Sequence, residues 1–336
     1  MYSSISDGLM VAAVLGYMLA MIGYAVEYAF GRQGVVARIA ARKPRASRVL
    51  VTAGGDEVVE TAADDTGDDD EPHRPIDAGR AAFIGRIALV VQTLAAAAHT
   101  ACLVFRALAA HRVPWGNMYE YVLTACLIAT VAWLVVAWRR PAVRHLGLFV
   151  SLVVAILLCV DAAKLYATAG PLVPALNSYW LVIHVSAMTV ASGIFLVGFV
   201  TVALYLIQER REAWLAADRP LRFPLTLGDR LPASETLERL GFRIHALGFP
   251  IWTFGIMCGA IWAEHAWGRY WGWDPKETWS FIAWVVYAAY LHARATPSIR
   301  GRWSSWIAML GWAVMLVNLF GVNLVVSGLH SYAGVG

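Results

Sequence analysis

The sequence predicts an all-α protein, a polytopic transmembrane helix bundle of about eight spans with both termini on the outer side. Three observations lead there. Of 336 residues, 59% are hydrophobic and only 15% charged, against about 25% charged in soluble domains, and the mean hydropathy is +0.58. Apolar stretches recur at roughly the 20 residues needed to cross a bilayer. Lys and Arg gather in alternate connections between these stretches. The formal net charge of +4 therefore belongs to membrane-flanking loops. The expected surroundings are a lipid bilayer, with no nucleic acid.

Taken in order, the first span is 8–30. The segment before it, MYSSISDGLM, lacks a basic n-region and a small-residue cleavage site, so residues 1–30 are expected to persist as an N-terminal transmembrane helix. Residues 31–80 begin basic, from Arg32 to Arg48, and turn acidic at Asp64, Asp65, Asp68, Asp69, Asp70 and Glu71. With few aromatics, this stretch reads as a cytoplasmic disordered linker. Residues 81–336 form the main transmembrane domain, with spans at 82–105, 119–138, 146–167, 180–207, 244–262, 276–295 and 304–326. The basic connection 208–243 is expected to carry a short amphipathic helix near 234–243, lying on the membrane surface. Loops 31–80, 139–145, 208–243 and 294–303 hold 8, 3, 7 and 3 of the 27 Lys/Arg residues. The positive-inside rule puts them in the cytoplasm, and so puts both termini and loops 106–118, 168–179 and 263–275 outside. Cys102, Cys126, Cys159 and Cys258 all fall in apolar segments and form no C-x-x-C pair. They read as small hydrophobes rather than a redox or zinc site.

The outer side carries the chemistry. Segment 262–284, WAEHAWGRYWGWDPKETWSFIAW, holds Trp262, Trp267, Trp271, Trp273, Trp279, Trp284 and Tyr270. An aromatic belt at the membrane–water boundary accounts for one or two tryptophans per helix end. It does not account for Trp267, Trp271 and Trp273 in one short loop with Gly268 and Gly272 between them. Glycines free the backbone to turn and let a flat ligand approach, and indole faces offer an apolar platform to a planar macrocycle. Asp274-Pro275-Lys276-Glu277 fits an N-cap, a proline at the first helical position and a capping-box Glu, so neither carboxylate is assigned as an acid or base. Asn117-Met118-Tyr119-Glu120 repeats that logic at the third span.

The histidines separate by depth. His184, in NSYWLVIHVSAM, lies a few residues into the fifth span from its outer end, and His330 follows the eighth span in SGLHSYA. Each reads either as a structural, interfacial histidine or as one of two axial ligands to the iron of a porphyrin resting on the tryptophans. His292 lies 17 residues after Pro275, about 26 Å along a helix and near the inner boundary. There it is either a helix C-terminal histidine favoured by the dipole or part of a second, inner ligand site. His99 is read as structural, and His265 as a polar rim residue.

WAEHAWGRYWGWDPKETW resembles the tryptophan-rich WWD signature of haem-handling membrane proteins. FIAWVVYAAYLHAR, GVNLVVSGLHSYA, WGNMYEY and SYWLVIHV resemble the CcsA/ResC branch, which belongs to the two-component (system II) pathway of cytochrome c biogenesis. The likeness runs over roughly 82–336, with its motifs in the expected order. It implies that His184 and His330 are the outer axial ligands of haem b. It also implies that Trp267, Trp271, Trp273 and Asp274 hold the signature positions, and that His292 belongs to an inner, membrane-embedded haem site. The partners implied are a ResB-type (CcsB) membrane protein, supplying the remaining inner ligand, and apocytochrome c with its Cys-x-x-Cys-His motif. The location implied is the bacterial cytoplasmic membrane with the active face outside.

The resemblance implies a haem lyase role as part of a holocytochrome c synthase complex that forms thioether bonds. Haem would pass from His292 outward through the bundle to His184 and His330. Arg269 and Lys276 are the candidates to pair with its propionates. One alternative is a haem donor to a separate chaperone, but branches with that task differ after the shared Trp-Asp, where this chain reads Pro-Lys-Glu-Thr-Trp. A second is a haem-free transporter subunit. That reading calls for ionisable residues along a mid-membrane path, yet Asp161 and Lys164 lie near a span end.

Overall fold

The computed structural model describes residues 1–31, 50–51, 57–58, 78–170, 178–326 and 328–330. Among the described residues eight long helices make up the bundle: α1 (Tyr2–Phe30), α2 (Ala78–Ala110), α3 (Met118–Arg139), α4 (Gly147–Val160), α5 (Tyr179–Ala216), α6 (Ser234–Trp267), α7 (Pro275–Ala295) and α8 (Arg302–Leu316). A π turn, Asp161–Leu165, extends α4, and another, Val317–Gly321, carries α8 into a last helical turn, Val322–Val325. The predicted 31–80 linker lies almost wholly outside the described residues. What is described of it is a two-residue antiparallel pairing of β1 (Leu50–Val51) with β2 (Glu57–Val58).

Seven described helices are long and apolar enough to cross a membrane, α4 being counted from Pro141 to Leu165 and α8 from Arg302 to Val325. The chain is a multi-pass membrane protein. The remaining predicted span, α7, is 21 residues long and packs against α6 and α8. Its polar termini, with Lys276 and Glu277 at one end and His292 and Arg294 at the other, dilute its hydropathy.

Helices in lipid gain little from the hydrophobic effect and associate through close backbone approach at small residues. Two antiparallel pairs here follow a seven-residue register. In α1 and α2, Gly16 faces Ala95 and Gly23 faces Ala88; a Cβ on either glycine would meet the alanine Cβ at 2.7 Å. In α5 and α6, Gly241 faces Val202, Gly248 faces Phe195 and Gly255 faces Met188. Charges cap the apolar interior at both ends. At one end buried Glu120 receives Arg106 at 2.9 Å and Arg112 at 2.7 Å. At the other, Arg144 pairs with Glu27 and Arg294 with Glu238. The start of α1 reaches the Glu120 end, where Ser6 bonds the Cys102 carbonyl at 3.0 Å.

Two expectations change. The 234–243 stretch is not a separate helix on the membrane surface; it is the first part of α6, continuous through Pro250 to Trp267. Its apolar stripe is already occupied, because Leu237 is fully buried and Gly241 packs on α5. Trp267 closes α6 rather than sitting in the following loop. The helix ends at Gly268, whose φ of +69° and N–H bonded to Glu264 O form a left-handed C-cap.

Candidate functional site

A cavity of about 1500 Å³, counting its open mouth, enters the bundle at the Glu120 end. Helices α3 to α8 and the segments around Trp115, Trp271 and His330 supply its walls. His184, His330, Trp262, Trp267 and Trp271 all line it, and Trp115 borders it from the turn before α3.

The α5–α6 register places His184. One helical turn beyond Gly255, Gly259 lies opposite the imidazole; a Cβ there would sit 2.6 Å from His184 Cε1. The His184 Nδ1–H donates to Gly255 O at 2.8 Å. A carbonyl only accepts, so Nδ1 carries the proton and Nε2 keeps the lone pair that a metal needs. The ring lies over Trp262, with centroids 6.0 Å apart and planes 11° from parallel.

His330 is placed by the cap of α7. Asp274 accepts from the Lys276 N–H, and Glu277 reaches back to the Asp274 N–H at 3.0 Å, which completes the predicted capping box. The same carboxylate receives the Leu329 N–H at 2.8 Å on Oδ1 and the His330 Nδ1–H at 2.7 Å on Oδ2. Burial alone would raise the Asp274 carboxyl, but the donors from His330, Leu329 and Lys276 outweigh it and hold the group down at about 2. The ionised acceptor fixes the His330 tautomer as Gly255 O fixes that of His184. His330 stands edge-on to Trp267 at 5.0 Å and to Trp262 at 5.9 Å. Both imidazoles thus contact the same indole from two separate chain segments.

The remaining predicted residues divide. Asp274 lies behind His330 as its orienting acceptor. Trp273, 64% exposed, with a φ of +59°, turns away from the cavity and packs on Trp271 at 5.8 Å and Phe281 at 6.1 Å. His292 is exposed in the last turn of α7 and does not line the cavity. Gly272 does not open a face to a flat ligand. The Arg269 guanidinium fills that space, 0.8 Å from where a Cβ would stand. His99 is buried between α1 and α2 and bonded to Tyr17 at 3.1 Å. His265 is exposed on α6, bonded to Ile261 O. Of the four cysteines, Cys159 is exposed and the other three are buried.

Trp262, only 1% exposed and central to the aromatic cluster, was not among the site residues predicted from sequence. The glycines at 241, 248 and 255, followed by Gly259, were the available signal. Their spacing marks the face of α6 against which α5, and with it His184, must pack.

Residues 115–330 match the family described as Cytochrome C assembly protein. The Cytochrome c biogenesis protein CcsA of Guillardia theta is 44% identical over 172 residues, 49% of this chain and 57% of that protein. The protein of the same name from Synechococcus sp. (strain CC9902) is 37% identical over 262 residues, 72% of this chain and 86% of the relative. Among solved structures, Cytochrome c Heme Lyase CcmF superposes with a TM-score of 0.53 at 18% identity, over 93% of this chain and 46% of the larger one, a likeness of fold.

Proposed function

Because this chain belongs to the CcsA family of cytochrome c biogenesis proteins, we propose that it holds haem b in the cavity between His184 and His330. It presents the haem at the outer face of a bacterial cytoplasmic membrane for attachment to apocytochrome c. A ResB-type (CcsB) partner completes the complex. The observation that carries this reading is the matched pair of imidazoles. Each is held through Nδ1, by a backbone carbonyl in one case and a carboxylate in the other. This is the outer-shell arrangement that orients metal-ligating histidines and raises their basicity. Apolar surface on the Trp262, Trp267 and Trp271 walls contributes about 25 cal/mol per Å² removed from water.

In the reaction each thiol of the Cys-x-x-Cys-His segment adds across a haem vinyl C=C. The sulfur bonds one carbon and the proton goes to the other, with no net oxidation. This chain's share is position: two fixed imidazoles hold the iron while the incoming histidine replaces one of them. Its own carboxylates take part only as orienting groups.

His292 belongs to a separate inner site. Phe281, Val285, Ala289 and His292 form one exposed stripe along α7, and Trp271 and Trp273 pack on Phe281 at its upper end. On this reading the partner covers this stripe, and haem passes from it outward to the cavity. The visible spectrum of the purified complex tests the assignment. Bis-histidine bands that vanish when His184→Ala and His330→Ala are combined support it; unchanged haem content in that variant removes it. His292→Ala should lower occupancy of the outer site without changing its ligation type.

A further inference from the structure

We infer that Lys276 is the carboxylate anchor of the cavity, holding a haem propionate and so fixing which edge of the macrocycle faces which wall. The inference rests on the haem reading above. Met118 and Val122 of α3, Val185 and Met188 of α5 and Ile256 of α6 are apolar lining of the cavity, while Lys276 and Ser280 of α7 and Asn318 and Asn323 of the turns after α8 give it polar groups.

Three carboxylates near the cavity mouth already have partners. Glu120 takes Arg106 and Arg112. Both Asp274 oxygens are engaged by His330 and two backbone N–H groups. Glu277 Oε2 accepts the Gly272 and Asp274 N–H groups and faces Arg269 at 3.9 Å. Arg269, the other cation predicted for this role, packs on Gly272 and does not line the cavity. Lys276 lines the cavity, and its ammonium has no ion pair within 4.0 Å among the described residues. An ammonium facing a largely apolar space is costly until a counter-charge arrives, and a ligand carboxylate supplies one. Haem carries its two carboxylates on one edge and its vinyl groups towards the other. A propionate at Lys276 therefore turns the vinyl edge away from α7's first turn.

The test titrates the full chain, purified with its partner, with iron protoporphyrin IX and with its dimethyl ester, following the Soret band. Wild type should bind the free acid about 10–100-fold more tightly than the ester, the range of a charge-assisted hydrogen bond. Lys276→Met should abolish that preference while leaving the bis-histidine bands in place, and Lys276→Arg should keep most of it. Equal affinities in wild type, or a preference intact in Lys276→Met, overturn the anchor while leaving the haem site standing. Failure of wild type to bind either compound overturns the haem reading itself, and the anchor with it. Should Lys276→Met not fold, the wild-type preference and Lys276→Gln still decide.

Discussion

Gly259→Ala tests the site without touching a ligand. The added methyl would stand 2.6 Å from His184 Cε1 and 2.7 Å from Nδ1, where ordinary contact begins at 3.4 Å. The imidazole must therefore shift by about 0.8 Å, some four times the roughly 0.2 Å tolerance of a metal–ligand bond. The hydrogen bond to Gly255 O, at 2.8 Å, is lost or lengthened in the same movement. Local overpacking of this kind costs about 1–3 kcal/mol, which a bundle this size survives, so the variant should insert and purify. The reading is the haem spectrum: one imidazole lost, six-coordinate low-spin bands replaced by a five-coordinate form, and added imidazole restoring the original bands. Gly8→Ala, where nothing lies within 4 Å of the new methyl, serves as the control and should match wild type. A Gly259→Ala protein with wild-type bands and haem affinity would show that His184 is not an iron ligand held by this packing.

Four further outcomes follow from the structure. Asp274→Asn keeps an N-cap side chain but removes the charge that receives His330 Nδ1–H; haem affinity should fall about 10–100-fold, measured by titration. Since the folded carboxyl lies at about 2, below its ordinary 3.8, its contribution is fully present above about pH 4 and disappears as pH drops through about 2; acid titration of wild type should show no Asp274 effect above that window. Gly272→Ala must displace Arg269 and should lower Tm, whereas the same change in an Arg269→Ala background should be nearly neutral, a non-additivity read by a double-mutant cycle. Glu120→Ala leaves Arg106 and Arg112 uncompensated and should cost about 3–5 kcal/mol, visible as a large fall in Tm in detergent.

The sequence conveys the bundle well because lipid imposes a simple rule: a span must be apolar for about 20 residues. Residues at helix ends were legible too. Asp274-Pro275-x-Glu277 forms the cap it predicts, and that cap reaches His330. Less legible was anything set by contact between distant segments. Trp267 reads as loop because the tryptophans straddle Gly268, yet the helix runs to its last residue before the left-handed glycine. The 234–243 stretch reads as a surface helix because its apolar stripe has no evident partner in sequence; α5 is that partner. Arg269 and Lys276 look alike as cations near a loop, and only the position of Gly272 separates them.

The two imidazoles are placed by the two devices that hold the bundle together. The glycine register that closes α6 on α5 also seats His184, since Gly255 and Gly259 continue the run of small residues beyond Gly241 and Gly248. The cap that starts α7 also holds His330, since the Asp274 oxygens that satisfy the helix N-terminus accept the segment after α8. Neither histidine therefore depends on a flexible loop for its direction. The consequence is an asymmetry. Moving His184 requires parting two long packed helices, whereas His330 lies beyond the last helical turn, with Asp274 and the edges of Trp262 and Trp267 among its contacts. If the proposed site holds haem, His330 is the ligand expected to yield to an incoming histidine, and Asp274→Asn should then change the exchange rate more than Gly259→Ala does.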